Sequence, residues 1–339
     1  MTPNRTLLAA GGALFLWGLK RATDLQALHW LSGRTVVITG GARGLGFVLA
    51  RHCLHYGANV AICARSKEFL SAAEEQLSLD FHDPSLTVSR CDVTNSEEVA
   101  KFVADVVERF GGIDLLINNA GVIQVGPWNT MLRKDYEESI ATHFWGPYNT
   151  IEAAWETLCE RRGRVVNIAS IGGKLSVPHL LPYSAGKFAL VGFSEGQSAE
   201  LAAEGVSVTT VSPGLMRTGS PRNAWFKGQH RKEYAWFSIG GSLPLLTIGA
   251  EEAARRILIA GIRRKTSVVF PWSARIPVII HGFAPGVTTA VLGWMNRLLP
   301  DRGGIERQRV RGSKSESAWS PSLLTALNER AAVTNNEAG

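Results

Sequence analysis

The chain has 339 residues, 45% hydrophobic and 19% charged, with a net charge of +7. That length holds one large α/β domain with extensions or two small domains, and the apolar content is ample for a buried core. The positive excess forms no basic block and no aromatic-interleaved stripe, which argues against a nucleic-acid partner; anionic headgroups or a phosphate-rich cofactor account for it equally well.

The first apolar run, Leu7–Leu19, lies between Arg5 and the pair Lys20 and Arg21. As a helix it spans about 20 Å, short of a ~30 Å hydrocarbon core. It reads either as an interfacial anchor with Trp17 at headgroup level, or as a helix docked on the protein's own surface. No small-residue cleavage site follows, so a cleaved signal peptide is not expected. From Arg34 the pattern becomes regular, with strands expected at Arg34–Thr39, Asn59–Ala64, Leu86–Cys91, Ile113–Asn118, Arg164–Ala169, Val206–Val211 and Thr266–Phe270. Helices are expected at Leu45–Tyr56, at Lys67–Leu79, after the capping box Asn95-Ser-Glu-Glu98 as far as Phe110, through Lys134–Arg161 as one long stretch, and at Tyr183–Glu204 and Ala250–Ile262. Strands alternating with helices at this spacing predict a parallel sheet covered on both faces.

Between the last two strands, residues 218–247 are irregular and aromatic, and read as a substrate lid. Ile276–Asn296 contains no Asp, Glu, Lys or Arg and is bracketed by Arg275 and Arg297. Pro277 and Pro285 oppose a single straight helix, so a broken apolar hairpin is expected, lying on a partner subunit or dipping into a membrane. The chain thus divides into an apolar extension (1–31), a main domain (32–270), an apolar segment (271–300) and a polar, mobile tail (301–339) with a short helix capped by Ser320 and Pro321. Cys53, Cys63, Cys91 and Cys159 are scattered, with no Cys-x-x-Cys, and read as reduced thiols of an intracellular protein. His52, Cys53 and His55 share helix spacing but have no carboxylate nearby, so no metal site is expected.

Three stretches carry chemistry. Thr39-Gly-Gly-Ala-Arg-Gly-Leu-Gly46 follows the first strand and opens the first helix. Its glycines, Gly40, Gly44 and Gly46, allow a tight turn and close approach of backbone to a pyrophosphate, and the helix start supplies N–H groups and positive potential. The second strand ends in Ala64-Arg65-Ser66 where an acid would read an unphosphorylated ribose; Arg65 and Arg43 instead suit a 2′-phosphate. Finally, Tyr183 and Lys187 lie four apart on one helix face, where an ammonium lowers the phenol pKa and tunes it for proton transfer.

Together with Asp92-Val93, Asn118-Asn119-Ala120-Gly121, Ser170 and Pro213-Gly214-Leu-Met-Arg-Thr218, these motifs make residues 32–270 resemble a single-domain short-chain dehydrogenase/reductase. The resemblance implies a Rossmann-like, doubly wound α/β fold with a seven-stranded parallel sheet and a nicotinamide cofactor. It implies that Gly40, Arg43, Gly44, Leu45 and Gly46 hold the cofactor phosphates, and that Asp92 and Val93 flank the adenine. Asn119, Ala120 and Gly121 would support the sheet edge and cofactor. Pro213, Gly214 and Thr218 would meet the nicotinamide end. Tyr183 would be the acid/base, Lys187 its ribose-binding partner, and Ser170 the group orienting the substrate oxygen. One position departs from the family: Ala141-Thr-His-Phe-Trp-Gly146 places His143 where an Asn usually completes a water relay to the Lys. Neutral His143 is expected to stand in for it.

The expectation is a cytoplasmic NADP(H)-dependent oxidoreductase interconverting an alcohol and a ketone or aldehyde on a bulky apolar substrate. It is expected to be a homo-oligomer and to touch a membrane surface through 7–19 and 276–296. The alternatives are a non-catalytic NADP-binding membrane scaffold and a redox-neutral epimerase or dehydratase on the same fold.

Overall fold

The computed structural model describes residue 18 and residues 21–81 and 85–338. Apart from Gly18, the Leu7–Leu19 run lies outside the described residues.

Seven strands form one parallel sheet: β1 (Thr35–Thr39), β2 (Asn59–Ala64), β3 (Leu86–Arg90), β4 (Leu115–Asn118), β5 (Arg164–Ile168), β6 (Ser207–Pro213) and β7 (Ser267–Phe270). Their order across the sheet is β3-β2-β1-β4-β5-β6-β7. The central strand β1 is buried at all five positions, as a strand covered on both faces must be, and its sequence is accordingly apolar throughout its middle rather than alternating. Val36 and Ile38 face one core with Phe47, Leu49, Ile257 and Leu258; Val37 faces the other with Phe102, Val106, Ile151 and Leu158. Each fully buried side chain of this size contributes about 1.5–3 kcal/mol.

The helices between these strands are α1 (Gly44–His55), α2 (Lys67–Phe81), α3 (Ser96–Phe110), α4 (Arg133–Ile140), α5 (Gly146–Ala153), α6 (Trp155–Glu160), α7 (Leu181–Glu200), α8 (His230–Gly240) and α9 (Ala250–Ile262). Half of the capping box expected at α3 forms: the Asn95 side chain accepts from the N–H groups of Glu97 and Glu98, but the Asn95 N–H donates to the Asp92 carbonyl, and Glu98 accepts from the Asp92 N–H instead. The stretch expected as one helix from Lys134 is instead broken twice. Residues Ala141–Trp145 form a π-turn between α4 and α5, and Ala154 separates α5 from α6. A single added residue per turn is a local widening that periodicity does not reveal.

Chain direction across the sheet reverses between β1 and β4, and this switch point opens a crevice at the carboxyl ends of the strands. A small three-stranded sheet of Gln124–Val125, Trp225–Phe226 and Val310–Arg311 walls one side. The 218–247 stretch, read as irregular, contains α8.

Beyond β7 lie two antiparallel helices, α10 (Trp272–Phe283) and α11 (Pro285–Asn296), broken at Ala284 before Pro285, while Pro277 sits inside α10 without interrupting it. In the tail, the helix lies not after Ser320 and Pro321 but at α12 (Ala326–Thr334), with Thr325 as its N-cap, and Asn328, Ala332, Asn335 and Glu337 are buried. Side-chain amides and small residues make these contacts, so hydropathy gave no sign of them. Cys53, Cys63 and Cys91 are buried, Cys159 is half-buried, and all four are free thiols. Among the described residues no cluster of His, Cys, Asp or Glu could hold a metal ion.

Candidate active site

The turn after β1 is possible only with glycine. Gly40 has φ +64°, and a Cβ there would come within 2.9 Å of the Ala120 backbone. A Cβ on Gly46 would come within 2.2 Å of the Gly40 carbonyl oxygen. The turn is lashed to the end of β4. The Thr39 hydroxyl accepts from the backbone N–H groups of Asn119 and Ala120, both at 3.0 Å, and the Asn119 amide donates to the carbonyls of Thr39 and Gly40. The motif at 118–121 therefore sets the shape of the glycine turn.

A cleft of about 620 Å³ runs from this turn to the start of α7, a volume within the usual range for small-molecule sites. It is lined by Gly40, Arg43, Leu45, Arg65, Asp92, Val93, Asn119, Ala120, Gly121, His143, Ser170, Tyr183, Lys187, Pro213, Gly214 and Thr218. The structure thus gathers the residues singled out from the sequence around one cleft, with Gly44 and Gly46 forming the turn beneath. One end is cationic. Arg65 pairs with Asp92 at 3.7 Å, half exposed, and Arg309 and Arg311 stack on the Trp225 ring at 4.3 and 3.8 Å. Burial lowers the Arg311 pKa, and the nearby charges of Arg43, Arg309 and Arg65 lower it further. The arginines of the tail carried no motif, and only the pairing of 310–311 with Trp225–Phe226 brings them here. Glu337 is another lining residue that the sequence did not single out.

At the opposite end lie Ser170, Tyr183 and Lys187. The Lys187 Nζ donates to the Ile168 carbonyl at 2.7 Å and sits 5.8 Å from the centre of the Tyr183 ring. Burial depresses the Lys187 pKa to about 7. The expected depression of the Tyr183 pKa is not found. Burial raises it, and the hydrogen bond with the Ser170 hydroxyl opposes the rise. Removing both groups from water penalises phenolate and ammonium alike, which spacing along a helix does not convey.

His143 is buried beneath them, its ring edge-on to Tyr183 at 5.4 Å. Its Nε2 accepts from the Val122 N–H at 3.2 Å, so the proton sits on Nδ1, which donates to the Ser139 hydroxyl at 3.1 Å. Both ring nitrogens thus have protein partners, whereas the relay expected from the sequence needs one of them to hold a water. Burial and the Lys187 charge hold its pKa well below 6.5, so the ring is neutral at pH 7.

Behind Tyr183 packs a buried apolar cluster of Val125, Leu180, Ala224, Phe226, Tyr234 and Phe237, of which Ala224 alone lines the cleft.

The family model described as short chain dehydrogenase matches residues 34–227, more than half of the chain. The protein belongs to the short-chain dehydrogenase/reductase family, a family of oxidoreductases that use NAD(P)(H). It is 36% identical over 200 residues to an uncharacterized oxidoreductase of Mycobacterium tuberculosis, a match covering 58% of this chain and 80% of the relative. Among solved structures, a short-chain dehydrogenase from Streptomyces avermitilis matches with a TM-score of 0.65 and 28% identity, over 78% of this chain and 97% of that one. A variant of actinorhodin polyketide ketoreductase with NADPH matches with a TM-score of 0.61 and 29% identity, over 70% and 94%.

Proposed function

We propose that the protein is an NADP(H)-dependent oxidoreductase interconverting a bulky apolar alcohol and its ketone or aldehyde. The observation that carries this reading is a single cleft with arginines at one end and the Ser170, Tyr183 and Lys187 group at the other. A Cβ on Gly40 or Gly46 would clash with Ala120 or with the Gly40 carbonyl, so these glycines fix a tight turn at the start of α1 whose N–H groups suit a pyrophosphate, and the residues present fit the cofactor. Arg43 and Arg65 would hold its 2′-phosphate, Asp92 and Val93 its adenine, Lys187 its nicotinamide ribose, and Thr218 its carboxamide. Bound there, the nicotinamide supplies or accepts the hydride. Ser170 orients the substrate oxygen, and the Tyr183 hydroxyl donates or removes its proton. A Lys187 near its titration point at neutral pH can pass that proton onward. The apolar lining residues Val122, Ile123, Met216 and Trp225 suit an apolar substrate, and the NADPH-containing ketoreductase relative is consistent with carbonyl chemistry.

The test is carbonyl reduction across a panel of cyclic and long-chain ketones with either cofactor. NADPH is expected to exceed NADH by at least tenfold in kcat/KM, about 1.4 kcal/mol, and Arg65→Asp to erase that preference. Equal use of the two by the unaltered protein overturns the NADP assignment.

We further propose a homo-oligomer paired through the α4–α5 and α7 surfaces, where Trp145, Tyr148 and Phe188 are exposed. The hairpin α10–α11 is proposed to rest on an anionic lipid surface. It exposes Trp272, Ile279, Phe283, Val291 and Trp294, and Arg275 and Arg297 stand at its ends. Each helix is about 18 Å long, and among the described residues no helix is long and apolar enough to cross a membrane.

A further inference from the structure

Residues 335–337 of the tail reach into the cleft. Glu337 is 5% exposed. Its carboxylate accepts from the Arg43 guanidinium at 2.5 Å and from the Asn223 amide at 2.6 Å. The neighbouring residues are fixed as closely. The Gly44 N–H donates to the Asn335 carbonyl at 2.7 Å, and the Asn336 amide donates to the carbonyls of Ala42 and Phe69 at 2.7 and 3.1 Å. Two glycines admit this segment. A Cβ on Gly44 would stand 2.5 Å from the Glu337 carboxylate, and one on Gly219 would stand 2.4 Å from Ala332. A carboxylate, an arginine and a backbone N–H of the glycine turn therefore meet where the proposed reading puts a phosphate.

We propose that the C-terminal segment is a tethered competitor of the dinucleotide, with Glu337 occupying Arg43 in place of one of its phosphate groups, so that cofactor entry requires release of residues 335–338. The inference rests on the NADP(H) reading. Chemically the exchange is one anion for another. A carboxylate and a phosphate both accept a charge-assisted hydrogen bond from a guanidinium. Tethering keeps the carboxylate at an effective concentration on the order of millimolar. The tail thereby sets the threshold of cofactor concentration at which the cleft opens.

The experiment is titration of NADPH and of NADH into the full chain, followed by fluorescence, for the parent, Glu337→Gln and Asn336→Ala. Hydrogen exchange of residues 326–338 is measured with and without NADPH. Glu337→Gln is expected to tighten NADPH binding about tenfold. Asn336→Ala loosens the tail without altering charge and is expected to shift binding in the same direction by a smaller factor. In the parent, NADPH is expected to raise exchange across 326–338. A gain confined to NADPH assigns the contested group to the 2′-phosphate, and an equal gain for NADH assigns it to the pyrophosphate. Unchanged or weaker NADPH binding in Glu337→Gln, an effect of Glu337→Gln with none of Asn336→Ala, or protection of the tail by NADPH overturns the proposal while leaving the cofactor reading intact. If no form binds either dinucleotide, the cofactor reading fails and this proposal fails with it.

Discussion

Lys187 and His143 are bases taken out of water within one small volume, and their titration separates them. With Lys187 at a folded pKa of about 7 and an unfolded value near 10.5, the unfolded chain binds the extra proton between those limits. Stability attributable to this group therefore rises with pH across that window and is flat below it. The difference in unfolding free energy between the parent and Lys187→Met should shift in favour of the parent from pH 7 to about 8.5, a range that stops short of the raised Cys53 and Tyr183 thiol and phenol titrations. Denaturant unfolding at pH 6.5, 7.5 and 8.5 checks this; a constant difference would mean that Lys187 keeps its proton. For His143 the folded pKa lies well below 6.5, so the unfolded chain alone takes up the proton as pH falls. The parent should lose stability below pH 6.5 relative to His143→Asn, and the slope of Tm against pH in acid measures it. His143→Leu removes the bonds to Val122 and Ser139 and should lower both stability and turnover.

The pairing of α4 with α7 carries the site, because it fixes the helix that bears Tyr183 and Lys187. Gly186 lies at the crossing. A Cβ there would stand 2.6 Å from the Ser139 hydroxyl and 2.8 Å from His143 Nδ1. Gly186→Ala should cost about 1–3 kcal/mol through overpacking and reduce turnover more than a surface substitution of equal cost; a thermal melt and a kcat measurement decide it. How far this was legible from the residues depends on the kind of force. Strands β1 and β2 are apolar runs between turn residues, β6 is rich in β-branched Val and Thr, and α3 carries its own cap, so local chemistry announced them. The glycine turn and the Tyr183 and Lys187 pair were legible because their spacing has few other uses. The π-turn at Ala141–Trp145 was not, since it depends on packing against α7. Nor was the tail, whose contacts run through Asn223, Asn335 and Asn336, amides that read as solvated in any window of sequence. The raised Tyr183 pKa was missed for a related reason, burial being a property of the assembled cleft.

At the scale of the molecule, the apolar hairpin α10–α11 and the aromatic face near Trp145 are two separate surfaces, and each makes its own demand. The first should carry the protein to vesicles of anionic phospholipid in a flotation assay, and Phe283→Ser with Trp294→Ser should abolish this without altering unfolding. The second should give a two-fold oligomer by light scattering at micromolar concentration; a monomer throughout would show that Trp145, Tyr148 and Phe188 face solvent for some other reason. The cleft is proposed to do redox chemistry with Tyr183 as the proton donor. The most direct measurement is therefore made on Tyr183→Phe, which removes one hydroxyl and keeps the ring against His143 and the aromatic wall. NADPH affinity by fluorescence titration should stay within about twofold of the parent, while carbonyl reduction should fall by at least a factor of about 100. A variant that binds NADPH and retains more than a few per cent of the parent rate would contradict the account, because another group would then be supplying the proton.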